Sequence, residues 1–189
     1  MLLTTAVFAG FASGDVVRVL ANRFVRFADL PRGSVRGIPR DVRPNSRIVG
    51  NFGRYHVATG PTRNGNFCEA VGTASWGVGG CVVRDGRWQG EPGEMRPYLI
   101  APLSMSRGQS TTFVGGSAFA KRGQRLVLVY ADGQRERLSL TFVSRPIGAA
   151  FFFRKIPDSH QRAQTRLRAI ELRRSSDLIA RHLVAPPCC

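Results

Sequence analysis

The sequence predicts a mainly β protein, an antiparallel β-sandwich of Ig-like or barrel-like form that is preceded by a short amphipathic helix. Two observations predict this class. From residue 48 onward, short apolar segments recur between Gly, Pro, Asn and Asp residues, as in all-β domains. The stretch RLVLVYADGQRERLSLTFV, residues 125–143, is a hairpin pattern of two apolar arms around a turn dipeptide. Both features favour an antiparallel sandwich or barrel over an α/β sheet.

Length and composition indicate one soluble domain with flanking segments. The chain has 189 residues, of which 43% are hydrophobic and 21% charged. No stretch approaches the roughly 18 apolar residues that a transmembrane helix needs. We therefore expect no integral membrane span in this chain, and we divide it into an N-terminal region 1–46, a β domain 47–184 and a tail 185–189.

The N-terminal region carries three signals. Residues 1–14 are apolar and end in small residues, as in a secretion signal or anchor, but the basic start of such a signal is missing, and a segment that simply packs or remains loose is the alternative. Val16, Leu20, Phe24 and Phe27 recur at helical spacing and predict a basic amphipathic helix over 15–30, packed on the core or lying on an anionic membrane. The Pro-, Gly- and Arg-rich residues 31–47 read as a linker.

The clearest local prediction is the hairpin turn at Asp132 and Gly133. This dipeptide tolerates the positive φ of a tight turn and separates the arms 126–130 and 138–143. Further strands are predicted at 111–119 and 149–154. A helical turn near 158–162 and a last hairpin that turns at residues 175–177 complete the domain, with a helix over 159–174 as the alternative.

Cys68 and Cys81 are the chemically most informative pair. If the segments around them pair as neighbouring strands, the two cysteines can face each other within the roughly 4–7 Å between Cα atoms that a disulfide requires. Such a bridge would stabilise the fold by about 3 kcal/mol. Two free buried thiols remain an open alternative, and so does a nucleophilic cysteine served by a base such as His56.

No motif in the chain predicts catalysis, a metal or a cofactor. The three histidines and four cysteines form neither C-x-x-C nor H-x-x-x-H spacing, so we expect no metal site. Ser75 and Ser117 lie in glycine-poor versions of the nucleophile elbow, where a required glycine is absent. Cys188 and Cys189 are similar to the double-cysteine tail of prenylated small GTPases, but the chain has no GTPase motif. We therefore expect that the protein is not an enzyme and that it binds no cofactor.

The charge balance allows a polyanion as partner. The chain carries 28 basic against 12 acidic residues, a formal charge of +16, and nearly all the basic residues are arginine. This surplus attracts polyanions. It is spread along the chain without a basic run, however, as a GC-rich coding sequence would also produce. Arginines that gather on one face of the fold would favour polyanion binding, whereas even scatter would favour coding bias.

Three stretches together carry a family resemblance: TRNGNFCEAVG with GGCVV, then ADGQRERLSLTFVSRPIGAAFFFRKIPDSHQ, then LRAIELRRSSDLIARH. In this order they resemble extracytoplasmic β-sandwich domains of GC-rich bacteria. The resemblance implies secretion or membrane tethering and no catalytic residues. Our leading hypothesis is a non-enzymatic interaction or sensing module with a protein or cell-surface partner, and the alternative is a cytoplasmic basic protein that binds nucleic acid or another polyanion.

Overall fold

The computed structural model describes residues 24–33, 35–64, 66–82, 90–100, 112–145, 147–160 and 164–185, and these residues are mainly β. The prediction of a mainly β protein is confirmed. In chain order the strands are β1 (Phe24–Val25), β2 (Arg47–Phe52), β3 (Tyr55–Pro61), β4 (Phe67–Gly72), β5 (Gly77–Val82), β6 (Met95–Ile100), β7 (Phe113–Ala118), β8 (Gln124–Tyr130), β9 (Arg135–Leu138), β10 (Thr141–Val143), β11 (Ala150–Lys155), β12 (Leu167–Arg174) and β13 (Asp177–Leu183).

The strands form three sheets. The first sheet has the order β1-β10-β11-β7-β6, the second β2-β3-β4-β5 and the third β13-β12-β8-β9. Neighbouring strands are antiparallel, except that β1 runs parallel to β10. The second sheet is a meander in which each strand pairs with the next along the chain, so its contacts are local and its register follows from short turns.

The first sheet is apolar on both faces. Successive side chains of a strand point to opposite faces, and several consecutive residues of β11 are apolar. In β11, Phe152 packs into a core cluster with Leu128 and Ile170 of the third sheet. Its neighbours Phe151 and Phe153 pack into a second cluster with Val57 and other residues of the second sheet. The aromatic block of β11, in the strand predicted over 149–154, therefore joins both hydrophobic cores.

The helix predicted over 15–30 is wrong where the structure describes this segment. Phe24 and Val25 form β1 opposite Phe142 and Val143, and Phe27–Asp29 form only one 3-10 turn. The open edge of β10 supplies backbone hydrogen bonds to this segment, and four apolar residues at helical spacing do not outweigh them. Residues 1–23, with the apolar start of the chain, lie outside the described residues.

The central hairpin forms as predicted at its turn but not along its second arm. Tyr130 N–H donates to the carbonyl of Gln134, and Gly133 takes a φ of +86°. The second arm pairs with β8 only through Leu138, after which the chain crosses to the first sheet as β10. Leu138, Leu140 and Phe142 all lie in one core cluster, although Leu138 belongs to β9 of the third sheet and Phe142 to β10 of the first.

The last hairpin also forms where the sequence places it. A 3-10 turn covers Asp158–His160, and β12 and β13 pair around a turn at residues 175 and 176. The alternative of a helix over 159–174 is therefore wrong within the described residues. The hairpin contains a β-bulge that the sequence does not reveal. Leu172 pairs with Ala180 and Arg173 pairs with Leu178, so Ile179 is an extra residue in β13.

The segment 35–42 covers the outer face of the second sheet. Val35, Ile38 and Val42 are buried against a patch of this sheet that includes Ala58 and Cys68. The contact is tight: a Cβ added to Gly77 would lie 1.5 Å from the carbonyl oxygen of Arg36. Although the sequence reads here as a linker, these residues supply a small apolar core of their own. The domain boundaries remain a prediction.

Candidate functional site

The outer face of the third sheet gathers arginines from all four of its strands. Core residues such as Leu126, Leu128, Ile170 and Leu172 occupy the inner face, so the residues that alternate with them point outward. Strand pairing sets these outward residues in three rows across the sheet. The rows are Arg135, Val129, Ala169, Leu183; Arg137, Val127, Glu171, Arg181; and Arg125, Arg173, Leu178. We call this set the arginine face.

A single buried carboxylate organises the centre of the arginine face. The side chain of Glu171 has no exposed surface. Arg173 donates to its Oε2 at 2.7 Å, and Nε of Arg181 donates to its Oε1 at 3.0 Å. Arg135 also pairs with Oε2. Three cations thus share one anion, so the arrangement is not a set of independent ion pairs.

The arginines fix the charge state of this carboxylate. Burial alone would raise the pKa of Glu171, but the hydrogen bonds from Arg181 and Arg173, together with Arg135, outweigh it and lower the pKa to about 2. Glu171 is therefore ionised at neutral pH. Because a fully buried anion is costly unless it is paired, the three guanidinium groups are held in place over the sheet.

The arginine face is cationic at its surface. Five arginines stand against the one negative charge of Glu171, which lies beneath them. The side chains of Arg135 and Arg181 are 45% and 49% exposed. Arg125 and Arg173 lie directly opposite each other on neighbouring strands, an arrangement that costs energy unless an anion or other acceptor screens it. Both also donate to turn carbonyls, at Ser175 and Ser176.

The arginine face also presents aliphatic side chains. Leu183 is 72% exposed and Leu178 is 46% exposed, and both lie on β13 beside Arg181. Ile179, at the bulge of the same strand, is 39% exposed. Of the large hydrophobic side chains that the described residues expose, the remaining one is Val78, which lies on β5 in the second sheet. Exposed aliphatic groups are therefore concentrated on β13.

Cys68 and Cys81 are direct partners on β4 and β5. Their Cα atoms are 4.0 Å apart and their sulfur atoms are at bonding distance, 1.96 Å. The segments around the two cysteines thus pair as neighbouring strands, which is the condition for the predicted disulfide. Cys68 is buried at 1% exposure and Cys81 is exposed. The bond thus fastens the edge strand β5 to its neighbour and lies on the side of the sheet that segment 35–42 covers.

Asp132 of the predicted turn has a second role that the sequence did not reveal. Its Oδ2 lies 3.2 Å from Nε2 of His160, and Nδ1 of His160 lies 3.1 Å from Oγ of Ser159. The order of groups is that of a Ser-His-Asp triad, but His160 is 8% exposed and its ring packs 4.0 Å from that of Tyr130. We interpret this contact as a clamp that joins the β8–β9 turn to the 3-10 turn before β12.

A second polar contact lies next to this clamp. The hydroxyl of Tyr130 donates to Oε2 of Glu136 at 2.9 Å, and Oε1 of Glu136 pairs with Arg154 at 2.6 Å. Burial and the hydrogen bond to Glu136 raise the pKa of the Tyr130 phenol, so Tyr130 is neutral at any ordinary pH. This contact connects the third sheet with β11 of the first.

The other residues considered from the sequence do not converge on a site. His56 pairs with Asn51 across β2 and β3, with Nδ1 2.6 Å from Oδ1, and burial lowers its pKa. Ser117 is buried within β7, whereas Ser75 lies in an exposed turn. Among the residues that the structure describes, no group of three metal-ligating side chains comes together, and no helix has the length and apolar character of a membrane span. Cys188 and Cys189 lie outside the described residues.

Comparison of the chain with protein-family models, with curated proteins and with solved structures found no match. The arginine face, the cysteine pair and the clamp around His160 are thus the features on which an interpretation of function depends.

Proposed function

We propose that this protein is a non-enzymatic, extracytoplasmic β-sandwich that works as an interaction module and binds an anionic partner through the arginine face. The observation that carries the proposal is the convergence of Arg125, Arg135, Arg137, Arg173 and Arg181 from four strands on one sheet face. This is the clustering that distinguishes a binding surface from scattered coding bias.

Not all five arginines are needed to neutralise Glu171, and this supports a role of the arginine face in binding. Glu171 needs partners, and Arg135, Arg173 and Arg181 provide them. Arg137 is exposed and pairs with Val127 through the backbone, but its side chain makes no hydrogen bond or ion pair within the described part of the chain. Its charge therefore contributes nothing to this network but adds to the field that an anion would meet.

The cysteine pair supports the extracytoplasmic setting. A bond between Cys68 and Cys81 persists in oxidising compartments and is rare in the cytoplasm. Packing of the first sheet between two cores is consistent with a sandwich of stacked sheets, in which the outer face of the third sheet carries the exposed arginines. Membership of the extracytoplasmic β-sandwich family that the sequence resembles is part of this proposal.

The alternative, a cytoplasmic protein that binds nucleic acid, draws on the same arginines. Guanidinium groups suit phosphates because their planar donor fork can bond two oxygens at once. The two settings differ in one measurable property, the state of the thiols. Alkylation and intact mass of protein taken from its native compartment should find Cys68 and Cys81 joined. Free thiols there would favour the cytoplasmic alternative.

The binding proposal is tested with inorganic polyphosphate as the probe. Affinity of the full chain should fall linearly with the logarithm of salt concentration. Arg137→Gln should weaken binding and reduce the salt slope by about one. The matched control is Arg63→Gln, at an exposed arginine in the β3–β4 turn of the second sheet. Equal losses in the two variants, or no binding at low salt, would contradict the proposal.

A further inference from the structure

We propose that the partner of the arginine face is the surface of an anionic phospholipid bilayer, into which β13 inserts its leucines. This inference rests on the proposed function, since it names the anionic partner. It is motivated by the combination on one face of five arginines with the strongly exposed Leu178 and Leu183.

The arginines and leucines point the same way. Leu183 is the register partner of Ala169, Arg181 of Glu171, and Leu178 of Arg173, so all lie on the outer side of the third sheet. A soluble protein that exposes single leucines needs no explanation, but exposed aliphatic residues grouped beside cations mark an interaction surface. Here the grouping lies on the edge strand of the sheet, where the side chains can project beyond it.

Each residue type suits one layer of a membrane surface. Leucine side chains gain free energy when they leave water for the acyl region, in proportion to the apolar area buried. Arginines bind headgroup phosphates and keep their aliphatic stems against apolar surface. Val127 faces outward between Arg137 and Glu171 yet is only 5% exposed, so apolar surface on this face is already covered by its neighbours.

Glu171 prepares the face for this contact. By holding Arg135, Arg173 and Arg181 in fixed positions, it removes much of the side-chain entropy that binding would otherwise cost. Because Glu171 is completely buried, its own charge is turned toward the arginines rather than toward a ligand. The surface that meets the partner is cationic and aliphatic.

Two other classes of partner fit this face less well. Single-stranded nucleic acids are bound by stacking bases on aromatic side chains, and the three rows of the arginine face contain none. Protein hot spots are enriched in Trp, Tyr and Arg, whereas leucine is under-represented there. The arginine face exposes leucines beside arginines and has no aromatic anchor. This combination favours a phospholipid bilayer, in which an apolar acyl layer lies beneath a layer of phosphates.

The test measures partition of the full chain onto vesicles of phosphatidylcholine with and without phosphatidylglycerol, by co-sedimentation. The wild type should bind only the anionic vesicles. Arg137→Gln should weaken partition about fivefold, the loss expected for one arginine at an anionic surface. Leu178→Ser combined with Leu183→Ser should weaken it about tenfold or more. Both variants replace exposed side chains, and retained thermal unfolding will show that they fold.

The controls separate the lipid proposal from the proposed function. Val78→Ser removes the exposed aliphatic side chain on the second sheet, and Arg63→Gln removes an exposed charge there; neither should change partition. If polyphosphate binds through Arg137 but anionic vesicles do not bind, or bind regardless of the leucines, the lipid proposal is overturned and the proposed function stands. If neither probe binds, both are overturned.

Discussion

Arg181 lies directly opposite Glu171 across β13 and β12, and its Nε donates to the carboxylate at 3.0 Å. This pair is the centre of a group of three arginines around one buried anion, on an outward sheet face where a carboxylate would ordinarily be solvated. The arrangement links stability to binding, because the same arginines that neutralise Glu171 form the surface offered to an anionic partner.

Protonation of Glu171 should make the protein sensitive to acid. Its folded-state pKa of about 2 lies below the ordinary 4.5, so the folded state binds fewer protons than the unfolded state in this range. The resulting stabilisation is complete above pH 4.5 and is lost as the pH falls toward 2. In urea unfolding, Glu171→Gln should be less stable than wild type at pH 7 by about 1–3 kcal/mol.

The difference between wild type and Glu171→Gln should shrink as the pH is lowered to 3, because Glu171 takes up a proton when the wild type unfolds below pH 4.5, whereas a glutamine at this position does not. Glu91→Gln, at an exposed carboxylate, is the control and should follow the wild type. A constant gap between Glu171→Gln and wild type across this range would show that the ion pairs do not set the pKa of Glu171.

The disulfide should act as one unit in a double-mutant cycle. Cys68→Ala and Cys81→Ala should each lower the free energy of unfolding by about 3 kcal/mol, because either change opens the same closed loop. The double variant should be no less stable than the single variants, and reduction of the wild type should reproduce the loss. Losses that add would argue against a shared bond.

Two glycines of β5 should respond oppositely to alanine. A Cβ on Gly77 would lie 1.5 Å from the Arg36 carbonyl oxygen, so Gly77→Ala must displace segment 35–42 and should cost about 2 kcal/mol or more. A Cβ on Gly80 meets nothing within 4 Å, so Gly80→Ala should be neutral or slightly stabilising. Thermal unfolding of both variants compares them. Equal stability would mean that segment 35–42 does not pack on the sheet.

The clamp at Asp132 can be dissected with two substitutions. Oδ1 of Asp132 accepts a hydrogen bond from the backbone N–H of Gln134 at 3.0 Å, and Oδ2 of Asp132 faces His160. Asp132→Ala removes both contacts and should cost about 1–2 kcal/mol. Asp132→Asn can keep the turn contact and should cost about half as much. Urea denaturation will measure both, and an equal loss in the two variants would assign the whole effect to the contact with His160.

Local patterns were sufficient for much of the architecture. Asp132 and Gly133 determine a turn by themselves, since the dipeptide tolerates the required backbone angles. Cys68 and Cys81 could be paired because the strands around them are neighbours along the chain. The helix predicted around Phe24 is wrong because the conformation of this segment depends on its pairing with β10, which is distant along the chain and which no local period reveals.

The arginine face likewise depends partly on local sequence and partly on the pairing of strands. Composition and the alternation of apolar residues are local properties, and they are enough to predict a mainly β chain with a cationic surplus. Whether the arginines meet was decided by the register of β13. A regular hairpin around residues 175 and 176 would pair Arg181 with Ile170 and turn it toward the core. The bulge at Ile179 shifts the strand by one residue, which places Arg181 opposite Glu171 on the outer face, since a one-residue shift reverses the side of every later side chain.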